Sequence, residues 1–500
     1  MSNSVTAAQP GQQQPGQHPS PATHTGLAMV VVMTGVLITA VDTTIVVLAL
    51  PTIERELHVS LASVVWVVIG YLLVITLLAT QVGRLGDMFG RVRMYEAGFA
   101  VFVLGSLLCA VSWSEAAIIG FRVLQGIGGA FVTANSGAVI AELYPPERRG
   151  KAFGYNSVGW SIGAVLGIIL GGLIVTYASW RWIFWINVPI GIAALGLALR
   201  VLRERSERAS RHLDLVGMIT LGLGLFGVLW AMTRLATDQL TGSIVGYLIG
   251  GVALLVVFVV VELRQSEPML DLSLFRIPAM APSLLASLFQ GLGNFATLFL
   301  VIMYLQGARA LTPIHASLLL IPGYVIGSGI GPYAGRLADR VGPVIPATAG
   351  LAAQVVALAV YAQLSVTSGL WLVVLGSVIN GAGAAAFFPA NSAAVMKASP
   401  RAVLGISSGM LRTFGNIGMV FSFSTAILIA SQSISRGLAF AIFVGSTSLR
   451  GDLAAAFTTG LHAAFYTSMG FMALAALLSA VRVGSVTRRR PVREQPSQAA

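Results

Sequence analysis

Residues 83–91 read GRLGDMFGR, and residues 335–342 repeat this motif in weaker form as GRLADRVG. Each copy lies in a short polar break between two long apolar segments. The chain therefore consists of two related membrane halves. A membrane protein duplicated in this way places its binding site between the halves and can rock them about it. The repeat predicts transport before any substrate is considered.

The composition excludes a soluble domain. The 500 residues are 56% hydrophobic and only 10% charged, with a mean hydropathy of +0.85, whereas a soluble domain is about 25% charged. The net charge of +12 could suggest a nucleic-acid partner, but such binding requires basic residues clustered on one face of a folded domain. Here they are scattered among short loops, so we expect them to set membrane topology and no nucleic acid to bind.

Apolar stretches of roughly 20 residues predict an all-α polytopic membrane protein of about 14 transmembrane helices. We expect a six-helix bundle over residues 26–204, a linker with two extra transmembrane helices over residues 205–265, and a second six-helix bundle over residues 266–482. The polar residues 1–25 are predicted to be a disordered tail and residues 483–500 a basic C-terminal tail. The pattern indicates an architecture of two six-helix bundles with an inserted helix pair.

Basic residues also predict the orientation. If both termini are cytoplasmic, most of the 30 Lys and Arg residues fall on the inner side of the membrane, as the positive-inside rule requires. We therefore expect a multi-pass protein of the cell (plasma) membrane with membrane lipids as partners.

Two charged side chains lie inside predicted spans. Asp42, in the first span, costs about 2.5–3.5 kcal/mol to insert; it is either a buried acid held by neighbouring hydroxyls or a site that takes up a proton or pairs with a cation. Arg122, in the fourth span, either braces backbone carbonyls or takes part in proton transfer. We expect both to carry proton coupling. Arg412 is a weaker candidate because it lies nearer a helix end.

Aromatic and amide residues predict a substrate cavity. Trp66 and Tyr71 begin the span after the one that holds Asp42 and could line a cavity for planar cations, although a tryptophan at a span end is often only an interfacial anchor. Gln125 and Asn294 complete the predicted cavity.

Glycines recur every four residues in the fifth span, at Gly159, Gly163, Gly167 and Gly171. They form one groove along a helix, which serves either close packing or a sliding and sealing surface between the bundles.

The repeated motif predicts a conformational latch. Its glycines permit a tight turn, an acid in it could accept hydrogen bonds from helix N-terminal amides, and its arginines could lie among lipid phosphates. The predicted gating residues are Gly83, Arg84, Asp87, Gly90 and Arg91 in the first copy and Gly335, Arg336 and Asp339 in the second.

The sequence lacks the motifs that ATP binding and metal binding require. The only lysines, Lys151 and Lys397, do not end a phosphate-binding loop, so ATP is not expected as an energy source. No metal-spaced His or Cys set occurs, and the single Cys109 cannot form an intramolecular disulfide. We expect no metal, no cofactor, no catalytic residue and no enzyme activity.

The chain resembles the major facilitator superfamily, and within it the fourteen-span drug:proton antiporters. The motif at 83–91 and its copy resemble the superfamily's cytoplasmic signature loops, and the stretches at 42–51, 122–126 and 180–189 resemble motifs of the fourteen-span branch. The resemblance implies proton coupling through Asp42 and Arg122. The sequence departs from the branch at Ile168, where the fifth-span antiporter motif usually has a proline.

These observations predict proton-coupled secondary active transport, in which amphipathic, cationic drugs or toxic compounds are exported by alternating access. One alternative is export of an endogenous metabolite or lipid-like precursor by the same machinery. Another is a non-transporting membrane sensor that keeps the fold.

Overall fold

The computed structural model describes residues 22–58, 61–144, 146–204, 213–237, 239–399, 404–430 and 452–487. Most of the two predicted tails lies outside this range. The described residues are almost entirely helical, as expected of a chain that must satisfy its backbone polar groups internally in lipid.

The first half of the molecule comprises eight helices, two of them single turns. They are α1 (Ala22–Leu57), α2 (Leu61–Val64), α3 (Trp66–Phe89), α4 (Arg91–Ala110), α5 (Glu115–Leu143), α6 (Pro146–Tyr177), α7 (Trp182–Trp185) and α8 (Asn187–Val201). The sixth predicted span is thus a short turn followed by a 15-residue helix. Two helices follow, α9 (Leu215–Thr237) and α10 (Gly242–Arg264).

The second half begins with a 3₁₀ turn at Leu272–Arg276 and comprises six helices. They are α11 (Met280–Met303), extended by a π-helical turn at Tyr304–Ala308, α12 (Pro313–Val341), α13 (Val344–Tyr361), α14 (Trp371–Ala398), α15 (Leu404–Ala430) and α16 (Asp452–Thr487).

Local sequence explains several helix ends. Ser114 caps α5 by accepting a hydrogen bond from the Ala117 amide at 3.2 Å, and Thr241 caps α10 in the same way. Gly90 and Gly342 lie near the end of the two motif copies and have φ values of 108° and 87°. Only glycine adopts such a backbone readily, so each copy of the motif ends one helix and allows the next to turn back.

The two halves pack in the same pattern. In the first half α1 packs against α6 and α4 against α5; in the second half α11 packs against α15 and α13 against α14. The halves meet where α3 contacts α15 and α6 contacts α12. α9 and α10 pack on each other, and α9 also contacts α3 and α15 at the junction of the halves.

Twelve helical segments within the described residues are long and apolar enough to cross a membrane. The sequence predicted about 14 spans. α3 is not among the twelve because its apolar part, Trp66–Ala79, is short and the polar motif occupies its C-terminal end. α15 is also not among them.

Candidate functional site

Asp42 lies in a fully buried hydrogen-bond network between α1, α5 and α8. Its Oδ2 accepts a hydrogen bond from Arg122 Nη1 at 2.6 Å. Its Oδ1 accepts from Gln125 Nε2 at 2.8 Å and from Asn187 Nδ2 at 3.2 Å. Asp42, Arg122 and Gln125 are all 0% exposed, so the carboxylate is held by protein groups alone.

Arg122 is held on several sides. Its Nε donates to the Val67 carbonyl at 2.8 Å, and its Nη1 also donates to Gln125 Oε1 at 2.7 Å. The guanidinium carbon lies 4.1 Å from the centre of the Tyr71 ring and 5.7 Å from that of Phe184. The Arg122 Nη2 atom is buried without a hydrogen-bond partner. Arg122 therefore braces a backbone carbonyl and pairs with the Asp42 carboxylate.

The network extends to α4 through Gln125. Its Nε2 also donates to Ser106 Oγ at 2.8 Å, and its Oε1 lies 3.7 Å from Cys109 Sγ. A buried ion pair loses about 3–5 kcal/mol when one partner is removed, because the other charge stays buried and unpaired. Asp42 and Arg122 are therefore interdependent, and a change in the charge of one must change the surroundings of the other.

The glycines of α6 pack against the backbone of α1 beside Asp42. A Cβ atom on Gly163 would lie 2.6 Å from the Leu37 carbonyl oxygen, and one on Gly167 would lie 2.7 Å from the Val41 carbonyl oxygen. Gly159 and Gly171 continue this contact towards Met33 and Ile45. The groove thus faces a helix of its own half rather than the other bundle.

Ile168 lies where this face meets the second half. Its carbonyl accepts a hydrogen bond from Ser317 Oγ of α12 at 3.4 Å. One turn earlier, the Ala164 carbonyl accepts a hydrogen bond from Thr44 Oγ1 of α1 at 3.3 Å. A proline at 168 would remove the amide that a regular helix directs at the Ala164 carbonyl. With Ile168, α6 remains one continuous helix between α1, which carries Asp42, and the second half.

Trp66 does not line a cavity next to Asp42. Its ring packs against Phe226 and Trp230 of α9, with centroid distances of 5.1 and 5.4 Å, and only 5% of the residue is exposed. Tyr71 is fully buried beneath Arg122. The cavity for planar cations that the sequence predicted from this pair is therefore not formed by these two rings. Sequence spacing could not show that α9 would cover Trp66.

The fourth predicted cavity residue, Asn294, belongs to the second half. Its Oδ1 accepts a hydrogen bond from Asn380 Nδ2 of α14 at 3.1 Å. Both residues are partly exposed. Asn294 is thus remote in the chain from the Asp42 network and lies in a neutral polar pair.

The first copy of the motif is tied to the segment that follows α10. Arg84 is buried, and its Nη1 donates to the Glu267 carbonyl at 3.0 Å while its Nη2 donates to the Pro268 carbonyl. Gly86 lies against Asn135 of α5. Gly83 has open space around it, and Arg91 is partly exposed at the start of α4.

Glu204, which the sequence analysis did not single out, lies at the first amides of α4. Glu204 Oε2 accepts hydrogen bonds from the Val92 amide at 3.0 Å and the Arg93 amide at 3.4 Å. It also lies against the backbone of Gly90. The Asp87 side chain lies outside the described residues, as does that of Asp339.

The second copy of the motif makes fewer contacts. Gly335 has open space around it. Arg336 is exposed, and its guanidinium lies 5.9 Å from the Tyr333 ring of the same helix. The two copies therefore differ in burial although their sequences are alike.

Two buried acids near Arg84 were not predicted. Asp214 accepts hydrogen bonds from the amides of Gly217 at 2.7 Å and Met269 at 3.2 Å. Glu262 accepts one from the Leu270 amide at 2.9 Å. They are 1% and 3% exposed. The available signal was an acid just before α9 and another in the last turn of α10, and acids at such positions usually face water.

Within the described residues, no group of three or more His, Cys, Asp or Glu side chains could hold a metal ion. The polar centre is thus built from one acid, one guanidinium and neutral amides, a set that can exchange a proton or a hydrogen bond.

Comparison with known proteins assigns the family. The sequence profile of the Major Facilitator Superfamily matches residues 32–423 and 284–500. The chain is 31% identical over 405 residues to a tetracenomycin C resistance and export protein of Streptomyces glaucescens, covering 80% of this chain and 74% of that relative. It is 30% identical over 393 residues to the drug efflux pump JefA of Mycobacterium tuberculosis, covering 77% of each.

A solved structure has the same fold. It is that of a bacterial homolog of the human lysosomal transporter Spinster in an inward-facing, unoccupied conformation, which aligns with a TM-score of 0.61 and 17% identity over 95% of this chain and 100% of that one. The spanning helices of the present chain show that it is a multi-pass membrane protein. Together with the relatives and the profile match, they identify it as a member of the Major Facilitator Superfamily, whose transporters move small molecules across membranes.

Proposed function

We propose that the protein is a proton-coupled exporter of amphipathic compounds that works by alternating access. The observation that carries this proposal is the Asp42–Arg122 ion pair, which is fully buried within the membrane-spanning part of the first half. Export is supported by the tetracenomycin C exporter and the drug efflux pump among the relatives.

The ion pair supports coupling because a proton and Arg122 compete for the same carboxylate. When Asp42 is protonated, Arg122 loses its counter-charge and must find water, a carbonyl or a substrate group instead. That requirement links proton uptake to a rearrangement of α1 against α5. Substrate and proton then favour different facing states, which is sufficient for thermodynamic coupling.

The helix packing supports rocking of the halves about their junction. α3 contacts α15 and α6 contacts α12, while the glycine face joins α6 firmly to Asp42's helix. A movement of α1 would therefore be transmitted through α6 to α12. Arg84 adds a latch on the cytoplasmic side, since it binds the segment that leads from α10 into the second half.

We further propose that α3 and α15 cross the membrane together with the twelve apolar segments, which makes fourteen spans. α9 and α10 are then the inserted pair, both termini are cytoplasmic and the protein lies in the plasma membrane. The support is the equivalent packing of α3 with α5 and of α12 with α14 in the two halves and the distribution of basic residues. Protons, lipids and a small-molecule substrate are the partners, and no ATP is required.

The test uses the purified full-length protein in liposomes with an imposed pH gradient and two xanthene dyes, cationic rhodamine 6G and anionic sulforhodamine B. The gradient should accelerate movement of at least one dye. Asp42→Asn should abolish this gradient dependence. Glu56→Gln is the matched control, because it makes the same change on the same helix in an ion pair with Arg181 that is 45% and 34% exposed. Gradient dependence that persists in Asp42→Asn would refute the coupling role.

A further inference from the structure

Arg412 is a cationic side chain on α15 that takes no part in the hydrogen-bond network around Asp42. It lies eight residues after the start of α15 at Leu404, which places it about 12 Å along the helix from the cytoplasmic end. It is partly exposed. Its location is therefore well inside the membrane-spanning part, where a guanidinium needs an acceptor.

Arg412 reaches from the second half to the first. Its Nη1 donates to the Thr133 carbonyl of α5 at 2.5 Å. Among the described residues the structure gives it no other hydrogen bond and no carboxylate partner. A guanidinium carries five donors, so most of its donors are available at the interface between the halves.

The surroundings hold no spare acid for a cationic substrate. Within the described helices, Asp42 is the only Asp or Glu more than five residues from a helix end, and Arg122 already occupies it. Within the described membrane-spanning helices, the negative charge of Asp42 is thus balanced by Arg122. The positive charge of Arg412 has no carboxylate partner there.

A buried amide at a similar depth adds hydrogen-bonding capacity. Gln81 lies eight residues before the end of α3 at Phe89, again about 12 Å from the cytoplasmic end, and α3 packs against α15. It is 2% exposed, and both amide atoms lack a hydrogen-bond partner within the described residues. Buried polar groups are rarely left unpaired, so Gln81 has hydrogen-bonding capacity for a polar ligand or water.

We infer that Arg412 binds an anionic group of the substrate at the interface between the halves, so that amphipathic anions are the preferred substrate class. This inference rests on the proposed export function. It replaces the expectation of cationic substrates, because a cation would meet Arg412 and find no free carboxylate. A carboxylate or a sulfonate can accept from the guanidinium fork with two of its oxygens, and Thr133 leaves this fork largely open.

The test separates binding from transport. Equilibrium binding of sulforhodamine B and rhodamine 6G to the full-length protein in nanodiscs is measured by fluorescence polarisation, and flux of each dye is measured in liposomes with a pH gradient. Arg412→Gln should weaken sulforhodamine B binding by about 10- to 100-fold, the usual loss for a hydrogen bond to a charged group. Arg412→Lys should retain part of the affinity, and rhodamine 6G binding should not weaken.

Arg264→Gln is the matched control, because it removes the same charge at an exposed position at the end of α10. It should leave sulforhodamine B binding unchanged. Equal affinity of wild type and Arg412→Gln for sulforhodamine B, or no binding of this dye to the wild type, overturns the inference. Charge-selective binding without gradient-driven flux would uphold the site and refute the proposed function. If Arg412→Gln does not fold, Arg412→Lys still decides, since loss of the fork should lower affinity for the anion alone.

Discussion

The polar centres of the two halves occupy equivalent helices but differ in charge. In the first half, Asp42 of α1, Gln125 of α5 and Ser106 of α4 are joined through an ion pair with Arg122. In the second half, the corresponding helices are joined by neutral amide pairs and also by the buried Arg482 of α16, which donates to Ser283 Oγ of α11 at 2.8 Å and to Asn391 Oδ1 of α14 at 2.7 Å. Gln290 of α11 donates to Gln354 of α13 at 3.1 Å, and Asn380 of α14 donates to Asn294 of α11.

This difference shows that neutral hydrogen bonds are sufficient to join the helices of a bundle. The ion pair of the first half is therefore not needed for helix packing alone. A pair of amides joins helices without any dependence on protons. An ion pair of the same size adds a desolvation penalty that hydrogen bonds must offset. The polar centre of the first half pairs its arginine with a carboxylate, and we propose that this half responds to a proton.

The largest expected effect comes from breaking the ion pair. Asp42→Asn should lower stability by about 3–5 kcal/mol, because Arg122 stays buried without its counter-charge. Scanning fluorimetry of the protein in nanodiscs measures this as a lower unfolding temperature. The double variant Asp42→Asn/Arg122→Gln should recover part of the loss. A single variant as stable as the wild type would contradict the buried pair.

The next largest effect on stability is expected where α6 packs closely against α1 in the first half. Gly167→Ala should cost about 1–3 kcal/mol, because the added methyl group would overlap Thr44 and the Val41 carbonyl beside Asp42. Gly246→Ala in α10 is the control, since a Cβ atom there meets nothing within 4 Å. Equal unfolding temperatures for these two variants would mean that the α1–α6 contact is looser than described. In the second half the close approach is instead shared by Gly291 and Gly418.

A third effect compares the two motif copies. Arg84→Ala should cost about 1–3 kcal/mol and slow transport, because the carbonyls of Glu267 and Pro268 lose their donor. Arg336→Ala should change stability by less than about 0.5 kcal/mol, as for most exposed sites. Unfolding temperatures and dye flux of the two variants measure the difference. Similar losses in both variants would show that the copies act alike.

The smallest effect is expected when both members of the amide pair are replaced together. Gln290→Leu alone should cost about 1–3 kcal/mol, since it leaves Gln354 Oε1 without its donor in a buried site. Gln290→Leu combined with Gln354→Leu should be nearly neutral and should leave proton coupling intact. Unfolding temperature and gradient-driven flux are again the measurements. A double variant that loses coupling would show that the second half also handles protons.

Much of the fold could be predicted from the sequence, because long apolar stretches and the repeated motif are local signals. Asp42 and Arg122 were identified because a charge in an apolar span is conspicuous. Their direct contact was not predicted, since they lie 80 residues apart and helix rotation decides whether they meet. Asn187 was quoted only as part of a family motif, and its bond to Asp42 depends on the short turn before α8.

The failures have physical causes that spacing does not record. Trp66 was assigned to a cavity because nothing in the sequence shows that α9 packs across its face. Asp214, Glu262 and Glu204 were overlooked because acids near helix ends usually face water, and here backbone amides of neighbouring segments enclose them. Which neighbour covers a helix end is a property of the whole fold.

The position of the single cysteine gives the molecule a built-in reporter. Cys109 is fully buried and its sulfur lies beside the amide that binds Asp42, and no other thiol competes with it. The rate at which a small maleimide alkylates the unmodified protein would thus record how often water reaches the ion pair. Opening of the first half could be timed under a proton gradient without introducing any label site.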